Sequence, residues 1–516
     1  MTDSYTNQHV YPAACFFQSL QDIKNKKVTI MGLGLNGGGE ASARFFSKHG
    51  AYLTITDMKT EEQLKSTLDS LNNDPEIDQS RIRYVLGKHT IDDFQNADVV
   101  IKNPGVKFEH NRFLAEAKHI ETDISIFLRF TEAPIIAVTG SKGKSSTVSA
   151  IHYGLCKAGF TAFLGGNITV SPLTFLHQTS KTTPVVLELS SWQLADLRGR
   201  GILKPLISVI TKIVPDHQNW YGSMEAYVAD KKLIYAAQSS PDITICAYDD
   251  PWGNIFAHET KGTVVRYGKK AFNNPDTQGV WLDEEGFGWS SVPQSEGFSL
   301  SGTELKKTAS NPCLILKDLC VPGQHMRENV LNAALVLQLM GVKPEKIQSI
   351  MAGFPGIPHR LEFFHIWEQG KNKKVLFYND SAATVPEAAA AALDSFTSPV
   401  HLICGGTDKI LDFQPLAQCA DKAKSLFCLA GTGTDKLIPL LDKRSIPYHG
   451  PFSSVHELLA ALKETLEKNY NEAEREEIVV FSPGATSFGM FLNEFDRGST
   501  FKKSVIDLFS QYTDSV

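Results

Sequence analysis

The sequence predicts an α/β protein of three domains, each built on a largely parallel sheet. Short apolar segments of strand length alternate with helical segments along the chain. Two glycine-rich turns each follow such a strand and precede a helix. The length of 516 residues is several times that of an ordinary domain, so a single hydrophobic core is not expected.

The composition is that of a soluble, folded protein and excludes several functional classes. Lys and Arg number 51 and Asp and Glu 57, and the net charge of −6 argues against nucleic-acid binding. The chain has no apolar run near the ~18 residues of a membrane helix, and its first residues do not resemble a signal peptide. The eight cysteines form no CxxC pair, as is typical of reduced thiols. We therefore expect a cytoplasmic protein that binds neither nucleic acid nor membrane.

The first domain is predicted to begin with a strand, a glycine-rich turn and a helix. The strand covers 28–31, the helix covers 40–49, and the sequence GLGLNG at 32–37 matches the GxGxxG pattern. A second strand over 52–56 ends at Asp57, 20 residues after the last glycine of that motif. The pattern is typical of a Rossmann-like domain that binds a diphosphate. A dinucleotide and a nucleotide-sugar satisfy it equally well.

The sharpest motif of the chain is TGSKGKS at 139–145. It follows an apolar strand predicted over 135–138 and precedes a helix predicted over 146–158, which is the setting of a phosphate-binding P-loop. Its glycines allow backbone N–H groups to turn toward phosphate oxygens, and the helix N-terminus favours negative charge. Lys144 is expected to reach the β- and γ-phosphates, and Ser145 to offer its hydroxyl to Mg²⁺.

Two further side chains follow strands of this central domain. Glu188 lies in an apolar strand predicted over 185–189, and His217 follows a strand predicted over 207–210. Because ligands bind outside the carboxyl ends of parallel strands, both are candidates for a Mg²⁺ site beside the P-loop. For His217 a purely structural role is an equally good hypothesis.

A lysine on a predicted helix is a further candidate. Tyr227, Lys231 and Tyr235 are spaced by four and are predicted to share one helix face. The adjacent Lys232 should point about 100° around the helix and away from that face.

Residues 259–312 differ from the rest and are rich in Gly, Ser and Asn. Short antiparallel strands are predicted over 264–267, 280–282 and 314–316, and a helix over 329–340. We interpret the segment as part of the central domain, partly an insertion, and assign it no function.

A proline-rich linker, PGIP at 355–358, separates the last domain, since two prolines in four residues prevent a continuing helix. The domains are therefore predicted at 1–132, 133–355 and 356–516. Arg360 follows the linker, where it could reach a γ-phosphate as the last domain closes. Strands of this domain are predicted over 375–378, 402–404, 427–429 and 478–481, alternating with helices.

In the order of these motifs the sequence resembles the Mur ligases of peptidoglycan synthesis, from about residue 28 to 500. The matching pieces are GLGLNG at 32–37, NPG at 103–105, the P-loop at 139–145, GGN at 165–167, LELSS at 187–191, DH at 216–217, Tyr227 with Lys231, GQH at 323–325 with Asn329, PHR at 358–360, NDS at 379–381 with Thr384, GG at 405–406 with Lys409, and SP at 482–483 with Ser487. Three residues, Lys142, Met326 and Ala382, depart from what is usual in the family at those positions.

The resemblance implies a central P-loop ATPase domain flanked by two Rossmann-like domains. It also implies an ATP-dependent amide ligase that acts through an acyl phosphate. The Rossmann-like opening favours the member that adds D-glutamate to UDP-N-acetylmuramoyl-L-alanine, as a monomer. Two Mg²⁺ ions and a carbamate on Lys231, formed with CO₂, are implied as well.

A role for each matching residue follows from the resemblance. ATP would be bound by Gly140, Ser141, Lys142, Gly143, Lys144, Ser145, Ser146, Asn329, Arg360 and Asp380. The UDP-substrate would be bound by Gly34, Leu35, Asn36, Asp57, Asn103, Gly105, Asn167 and Ser190. D-glutamate would be bound by Thr384, Lys409 and Ser487. Mg²⁺ would be held by Ser145, Glu188, His217 and carbamylated Lys231, and the catalytic residues would be Lys144, Glu188, His217 and Lys231.

Other hypotheses remain open at this stage. An NAD-dependent oxidoreductase would use 32–37 and Asp57 but leaves the P-loop and Glu188 unexplained. A P-loop switch protein would bind nucleotide without forming an amide. Another Mur ligase or a folylpolyglutamate synthase is the nearest alternative.

Overall fold

The computed structural model of the protein describes residues 9–35, 37–293, 311–369, 373–468 and 476–510. These residues divide into two compact units. Unit 1 contains the described residues up to Lys317 together with Glu328–Met351, and unit 2 contains Asp318–Arg327 and the described residues from Ala352 onward. Each of the three sheets described below falls within one predicted domain, whereas the boundaries of those domains stay predictions.

The first sheet of unit 1 is parallel throughout and has the order β3-β2-β1-β4-β5. Its strands are β1 (Lys27–Met31), β2 (Tyr52–Asp57), β3 (Ile82–Leu86), β4 (Val99–Lys102) and β5 (Ile120–Glu121). The helices of this region are α1 (Gly38–Lys48), α2 (Glu61–Asn72), α3 (Asp92–Gln95) and α4 (Asp123–Phe130). The strand–turn–helix opening predicted for this domain is confirmed.

The second sheet of unit 1 has nine strands in the order β14-β13-β12-β11-β10-β9-β6-β8-β7. The strands are β6 (Ile135–Thr139), β7 (Phe163–Gly166), β8 (Val185–Glu188), β9 (Ile207–Ile210), β10 (Ile243–Ala247), β11 (Thr263–Gly268), β12 (Gly279–Leu282), β13 (Gly288–Ser290) and β14 (Cys313–Leu316). The helices are α5 (Lys144–Ala158), α6 (Ser191–Ala195), α7 (Gln218–Tyr221), α8 (Met224–Lys232), α9 (Pro251–Glu259), α10 (Gln324–Leu339) and α11 (Pro344–Ala352).

One strand direction was predicted wrongly in this sheet. Strand β11 is parallel to both of its neighbours, β10 and β12, although the segment 264–267 was expected to be antiparallel. The reason is that β10, α9 and β11 form a crossover unit, which joins parallel strands through a helix. The antiparallel direction expected at 280–282 and 314–316 is confirmed, since β12 and β14 both pair with β13. Residues 294–310 of the predicted insertion lie outside the described residues.

The sheet of unit 2 is mixed and has the order β15-β16-β20-β17-β18-β19, with β15 as an antiparallel edge strand. Its strands are β15 (Glu362–Gln369), β16 (Lys373–Asn379), β17 (Val400–Gly405), β18 (Ala423–Leu429), β19 (His449–Phe452) and β20 (Glu476–Phe481). Its helices are α12 (Pro386–Leu393), α13 (Gln414–Cys419), α14 (Thr432–Lys443), α15 (Val455–Lys468) and α16 (Glu494–Leu508).

Strand β20 shows why strands in the middle of this sheet have several apolar residues in succession. Ile478 and Val480 pack into the core on one side of the sheet, and Val479 and Phe481 pack into the core on the other. Successive side chains of a strand point to opposite faces, so a strand covered by helices on both sides is apolar throughout. Among the described residues, no helix is long and apolar enough to cross a membrane.

Candidate active site

The P-loop joins β6 to α5, and its two inner glycines have close neighbours. Gly140 has a φ of +149°, and a Cβ added there would lie 2.0 Å from Thr211 Oγ1. Gly143 has a φ of +90°, and an added Cβ would lie 2.3 Å from Asn329 Oδ1. Both positions combine a left-handed backbone with a close approach, so only glycine fits them. The loop is therefore fixed in shape by its own neighbours.

The remaining side chains of the loop are placed around this backbone. Ser141 is buried and its hydroxyl donates to Val214 O at 2.8 Å. Lys142 is exposed, whereas Ser145 and Ser146 are half-buried in the first turn of α5. The helix N-terminus and these hydroxyls are the kinds of group that an anion-binding turn requires, and the binding of phosphate by this loop stays a prediction.

Two lysine ammonium groups meet at one carbonyl oxygen of the loop. Lys144 Nζ donates to Gly140 O at 3.0 Å and to Ser141 O at 3.1 Å. Lys231 Nζ donates to the same Gly140 O at 2.9 Å, and Lys231 is only 1% exposed. Burial lowers the pKa of Lys144. Burial, with the nearby charge of Lys144, lowers the pKa of Lys231 to about 7.

Glu188 lies at the end of β8 with its carboxylate group buried. The residue is 1% exposed, and its Oε1 accepts a hydrogen bond from Asn167 Nδ2 at 2.9 Å. Its Oε2 is buried and has no hydrogen-bond partner among the described residues. A buried carboxylate oxygen is costly to leave unpaired and is a ligand that Mg²⁺ prefers.

The donor set near Glu188 therefore fits Mg²⁺. In the described part of the chain, no group of three or more His, Cys, Asp or Glu side chains is arranged to hold a metal ion. Mg²⁺ is often bound by only one or two carboxylates, with phosphate oxygens and water as the remaining ligands. Such an ion would be shared between this carboxylate and a bound nucleotide.

His217 lies beyond the carboxyl end of β9 at the start of α7, with a φ of +51°. Its imidazole ring is 4.9 Å from the ring of Trp192 and 6.1 Å from that of Tyr227, measured between centroids. The Tyr227 ring in turn lies 4.4 Å from Lys231 Nζ. The Tyr227 ring therefore lies close to both the His217 ring and the Lys231 ammonium group.

The two adjacent lysines of α8 point to different places, as predicted. Lys232 Nζ donates to Glu259 Oε1 at 2.8 Å, whereas Lys231 reaches the P-loop. The prediction for Tyr235 was wrong, because α8 ends at Lys232 and Tyr235 lies beyond the helix. The Tyr235 hydroxyl donates to Glu259 Oε2 at 3.0 Å, on the side of Lys232.

A cavity of about 280 Å³ lies at the carboxyl end of β4, where the UDP-substrate was predicted to bind. Three of the predicted residues line it, namely Asn103, Gly105 and Asn167. Asp123 and Gln193, which were not predicted, line it too. Asp123 directly follows the N-cap Thr122, a capping pattern that could have marked it.

Of the other residues predicted for this substrate, Gly34, Asp57 and Ser190 have contacts within the protein itself. Asp57 accepts hydrogen bonds from Gly34 N at 3.0 Å and Lys59 N at 2.9 Å and so fixes the glycine-rich turn. Leu35 is exposed, and Asn36 lies outside the described residues. Ser190 caps the N-terminus of α6.

A second cavity, of about 220 Å³, lies at the carboxyl ends of β9, β10 and β11. Asn329, which approaches Gly143 of the P-loop, lines it together with Tyr267 and Asn332. Asn332 was not predicted, although Asn329 and Asn332 are three residues apart in a predicted helix and so share a face.

Unit 2 contains the remaining predicted nucleotide contacts. Arg360 is exposed. Asp380 is 8% exposed. Its carboxylate accepts hydrogen bonds from Leu361 N at 3.1 Å and from Ser482 Oγ at 2.7 Å. Burial raises the pKa of Asp380 to about 6, because its charged form is poorly solvated.

The residues predicted for D-glutamate lie on neighbouring loops of unit 2. Backbone hydrogen bonds between Thr407 and Thr486 join the loops that carry Lys409 and Ser487. Lys409 is exposed, Thr384 is half-buried and Ser487 is buried. Arg497, which the sequence analysis missed, is 1% exposed and donates to Ala485 O and Ser381 O, bracing this region.

The chain matches two domains of the Mur ligases in comparisons with known protein families. Residues 26–125 match the N-terminal domain of the MurD-like Mur ligases, and residues 138–337 match the Mur ligase middle domain. The fold is also similar to that of solved Mur ligases. MurF from Acinetobacter baumannii aligns with a TM-score of 0.54 at 14% identity over 97% of this chain and 99% of that one. UDP-N-acetylmuramate-alanine ligase MurC from Thermotoga maritima aligns with a TM-score of 0.51 at 16% identity over 94% of this chain and 100% of that one.

Curated relatives are similar over nearly their whole length. A UDP-N-acetylmuramoylalanine--D-glutamate ligase from Treponema pallidum is 41% identical over 94% of this chain and 98% of its own. Enzymes of the same name from Borreliella burgdorferi and a Roseiflexus species are 38% and 35% identical, over 95% and 94% of this chain and 99% of theirs. The chain therefore belongs to the Mur ligase family, among the UDP-N-acetylmuramoylalanine--D-glutamate ligases.

Proposed function

We propose that this protein joins D-glutamate to UDP-N-acetylmuramoyl-L-alanine, with ATP converted to ADP and phosphate. Relatives that align with 94% or more of the chain are named for that reaction. The observation that carries the chemistry is the buried Glu188 carboxylate, whose Oε2 has no hydrogen-bond partner among the described residues, in the same sheet as the P-loop where Lys144 and Lys231 meet at Gly140 O. That combination provides both a cation ligand and ammonium groups at the place where phosphate is expected.

Two bond exchanges make up the proposed reaction. The alanyl carboxylate of the UDP-substrate attacks the γ-phosphorus of ATP, forming an acyl phosphate as the bond to ADP breaks. The amine of D-glutamate then attacks the acyl carbon, phosphate leaves with the electrons of the C–O bond, and the amine loses a proton. Lys144, already oriented by Gly140 O and Ser141 O, neutralises charge on the transferring phosphoryl group.

Mg²⁺ is the cation that the donor set fits. We propose that Glu188 Oε2, the Ser145 hydroxyl and His217 hold it, with a second ion nearby. When bound, it neutralises phosphate charge. Asn167 fixes the Glu188 carboxylate through Oε1 and leaves Oε2 available for the ion.

We also propose that Lys231 carries a carbamate. The half-buried ammonium group of Lys144 and the buried one of Lys231 contact the same carbonyl oxygen and repel each other. If the neutral amine attacks CO₂, an N–C bond forms, a proton is lost and Lys231 becomes an anion beside Lys144. The same anion would be a further oxygen ligand for Mg²⁺.

The binding roles assigned in the sequence analysis complete the proposal. The three predicted domains, 1–132, 133–355 and 356–516, would bind the UDP-substrate, the ATP phosphates and D-glutamate respectively. Asn103, Gly105 and Asn167 line the cavity of about 280 Å³, where the UDP-substrate would bind. In unit 2, Arg360 and Asp380 would contact ATP, and Thr384, Lys409 and Ser487 would contact D-glutamate.

We also propose that the protein is a monomer and acts in the cytoplasm. All eight cysteines are free thiols, which is typical of a reducing compartment. Light scattering at working concentration tests the oligomeric state.

A direct assay of the reaction tests the function. ADP release is measured with UDP-N-acetylmuramoyl-L-alanine, ATP and Mg²⁺ while the amino acid is varied, and the nucleotide product is identified by mass. D-glutamate is expected to support release far better than L-glutamate or D-aspartate. Equal release with several amino acids, or no amide product, would contradict the proposal.

A further inference from the structure

A buried lysine ends β4, directly before a turn that lines the cavity of about 280 Å³. Lys102 is 2% exposed. The four residues after it form the NPG turn (residues 103–106), in which Val106 N donates to Asn103 O at 3.0 Å. Asn103, Pro104 and Gly105 all line the cavity. The shape of this wall therefore depends on what holds the NPG turn in place.

The ammonium group of Lys102 contacts the turn directly. Lys102 Nζ donates to Asn103 O at 3.2 Å and to Val106 O at 2.7 Å. It also forms an ion pair with Asp196 Oδ2 at 2.8 Å. An ammonium group carries three protons, and these three protein oxygens match that number. Lys102 therefore acts on a bound substrate through the turn and not by a hydrogen bond of its own.

The partner of Lys102 belongs to another wall of the same cavity. Asp196 directly follows α6, and Trp192 and Gln193 of that helix line the cavity. The ion pair thus joins a turn of the first sheet to a helix of the second. Its two side chains are only 2% and 7% exposed, and breaking a buried ion pair is costly because one charge is left without a partner. The pair therefore fixes the NPG turn relative to α6.

Asp196 is itself held in place by the start of the described chain. The Tyr11 hydroxyl donates to Asp196 Oδ1 at 3.1 Å, and Tyr11 is 3% exposed. Tyr11 N donates to Arg198 O at 2.9 Å, which anchors the tyrosine beside Asp196. Both oxygens of the Asp196 carboxylate are engaged, one by Tyr11 and one by Lys102. These contacts form one continuous chain that ends on the NPG turn.

We propose that Lys102 is a positioning residue for the UDP-substrate, because it holds the NPG turn in the shape that binding requires, while Asp196 orients Lys102. The inference rests on the proposed function, in which this cavity binds UDP-N-acetylmuramoyl-L-alanine. Loss of Lys102 should weaken that substrate and spare the nucleotide, which is expected at the P-loop between β6 and α5.

The experiment compares the two ligands on the full-length protein. Dissociation constants of UDP-N-acetylmuramoyl-L-alanine and ADP are measured by calorimetry with Mg²⁺ present, on the wild type and on Lys102→Met, which keeps an unbranched side chain but removes the donors. We expect the variant to bind the UDP-substrate about tenfold more weakly, the range for lost hydrogen bonds. Its affinity for ADP should stay within about twofold, and its kcat should change little, since the lost interaction serves binding.

A matched control separates positioning from loss of stability. Lys373 is also a buried lysine, 1% exposed and paired with Glu477 at 3.2 Å, but it lies in the sheet of unit 2. Lys373→Met should lower the melting temperature and leave the affinity for the UDP-substrate within about twofold.

A double variant distinguishes positioning from a merely structural ion pair. Lys102→Met with Asp196→Asn removes both charges, so part of the lost melting temperature should return. The UDP-substrate should still bind about tenfold more weakly, because the turn still lacks its donor. If affinity returns together with melting temperature, the positioning role is overturned.

The remaining outcomes are equally decisive. Unchanged affinity of Lys102→Met for the UDP-substrate, or equal weakening of both ligands, would overturn this inference and leave the ligase intact. If Lys102→Met fails to fold, Asp196→Asn alone decides, with about threefold weaker binding of the UDP-substrate expected and unchanged binding against the inference. A wild type that does not bind UDP-N-acetylmuramoyl-L-alanine would overturn the proposed function itself.

Discussion

The P-loop region of unit 1 and the Lys409 loop of unit 2 hold their cations in different ways. Lys144 and Lys231 both donate to Gly140 O, and Lys231 is 1% exposed. Lys409 is exposed, on a loop where the adjacent Asp408 already pairs with Lys436. Charges interact far more strongly where water is excluded. From this comparison we expect Lys144 and Lys231 to act mainly on the transition state, and the exposed Lys409 to contribute mainly to substrate binding.

Replacing Lys144 should give the largest loss of activity. We expect Lys144→Ala to lower kcat by about 10²-fold or more, roughly 3 kcal/mol, because the charge on the transferring phosphoryl group loses its oriented ammonium. Lys144→Arg should also be nearly inactive, because the broad, planar guanidinium group of arginine does not fit a loop that encloses a compact ammonium group. Steady-state ADP release measures the effect. Lys157→Ala, at the exposed far end of the same helix, is the control and should behave as wild type. Near-normal turnover of Lys144→Ala would remove it from the mechanism.

Lys231 and Lys232 form a matched pair in the same helix. Lys231→Ala should be nearly inactive, and Lys232→Ala nearly normal, because only Lys231 reaches the P-loop. Added acetate should partly restore Lys231→Ala if the site requires a carbamate anion. Restoration by methylamine instead would show that the positive charge is what the site needs.

Asp380 should make the stability of the protein depend on pH. Its pKa is raised by burial to about 6, above the unfolded value of about 3.8. Between those values the folded state holds a proton that the unfolded state has lost, so the free energy of unfolding falls as pH rises from about 4 to about 6. The loss attributable to this group is up to about 3 kcal/mol.

Replacing the Asp380 carboxylate by an uncharged amide should therefore raise the melting temperature of the protein at pH 7.5 but not at pH 4. Asp380→Asn is measured by thermal unfolding at both values, with the exposed Asp394→Asn as the control. An equal shift at both pH values would show that packing, and not ionisation, is responsible.

Lys409 should give the smallest effect of the series. We expect Lys409→Ala to raise the KM for D-glutamate by about two- to fivefold, with little change in the KM for ATP, because an exposed ion pair is weakened by solvent and contributes at most about 1 kcal/mol. Lys422→Ala, an exposed lysine in a surface ion pair, is the control. Equal changes in both KM values would place Lys409 near the nucleotide instead.

The sequence predicted best the features that lie close together along the chain. The P-loop was recognised because strand, glycines, Lys144 and helix are contiguous, and Glu188 because it ends a strand of the same sheet. The contacts that orient them join distant segments, as when Lys231 Nζ reaches Gly140 O across 91 positions or Asn167 fixes Glu188. Such contacts depend on the sheet order, which local patterns do not determine.

Because local sequence patterns do not determine the sheet order or long-range contacts, one strand direction was predicted wrongly and some site residues were not predicted. Residues 264–267 lie in a region of short strands, and only the crossover through α9 makes β11 parallel. Asn332 sits in an Ala- and Leu-rich helix, where its spacing from Asn329 was visible but its place in the wall of a cavity was not.

Transfer of oxygen from the substrate to phosphate tests the central claim, activation of a carboxylate as an acyl phosphate, most directly. UDP-N-acetylmuramoyl-L-alanine labelled with ¹⁸O in its alanyl carboxylate is converted with ATP and D-glutamate, and the released phosphate is examined by mass spectrometry. The account predicts one ¹⁸O atom in each phosphate, because the attacking carboxylate oxygen leaves with phosphorus. Phosphate free of ¹⁸O, alongside normal amide product, would contradict it.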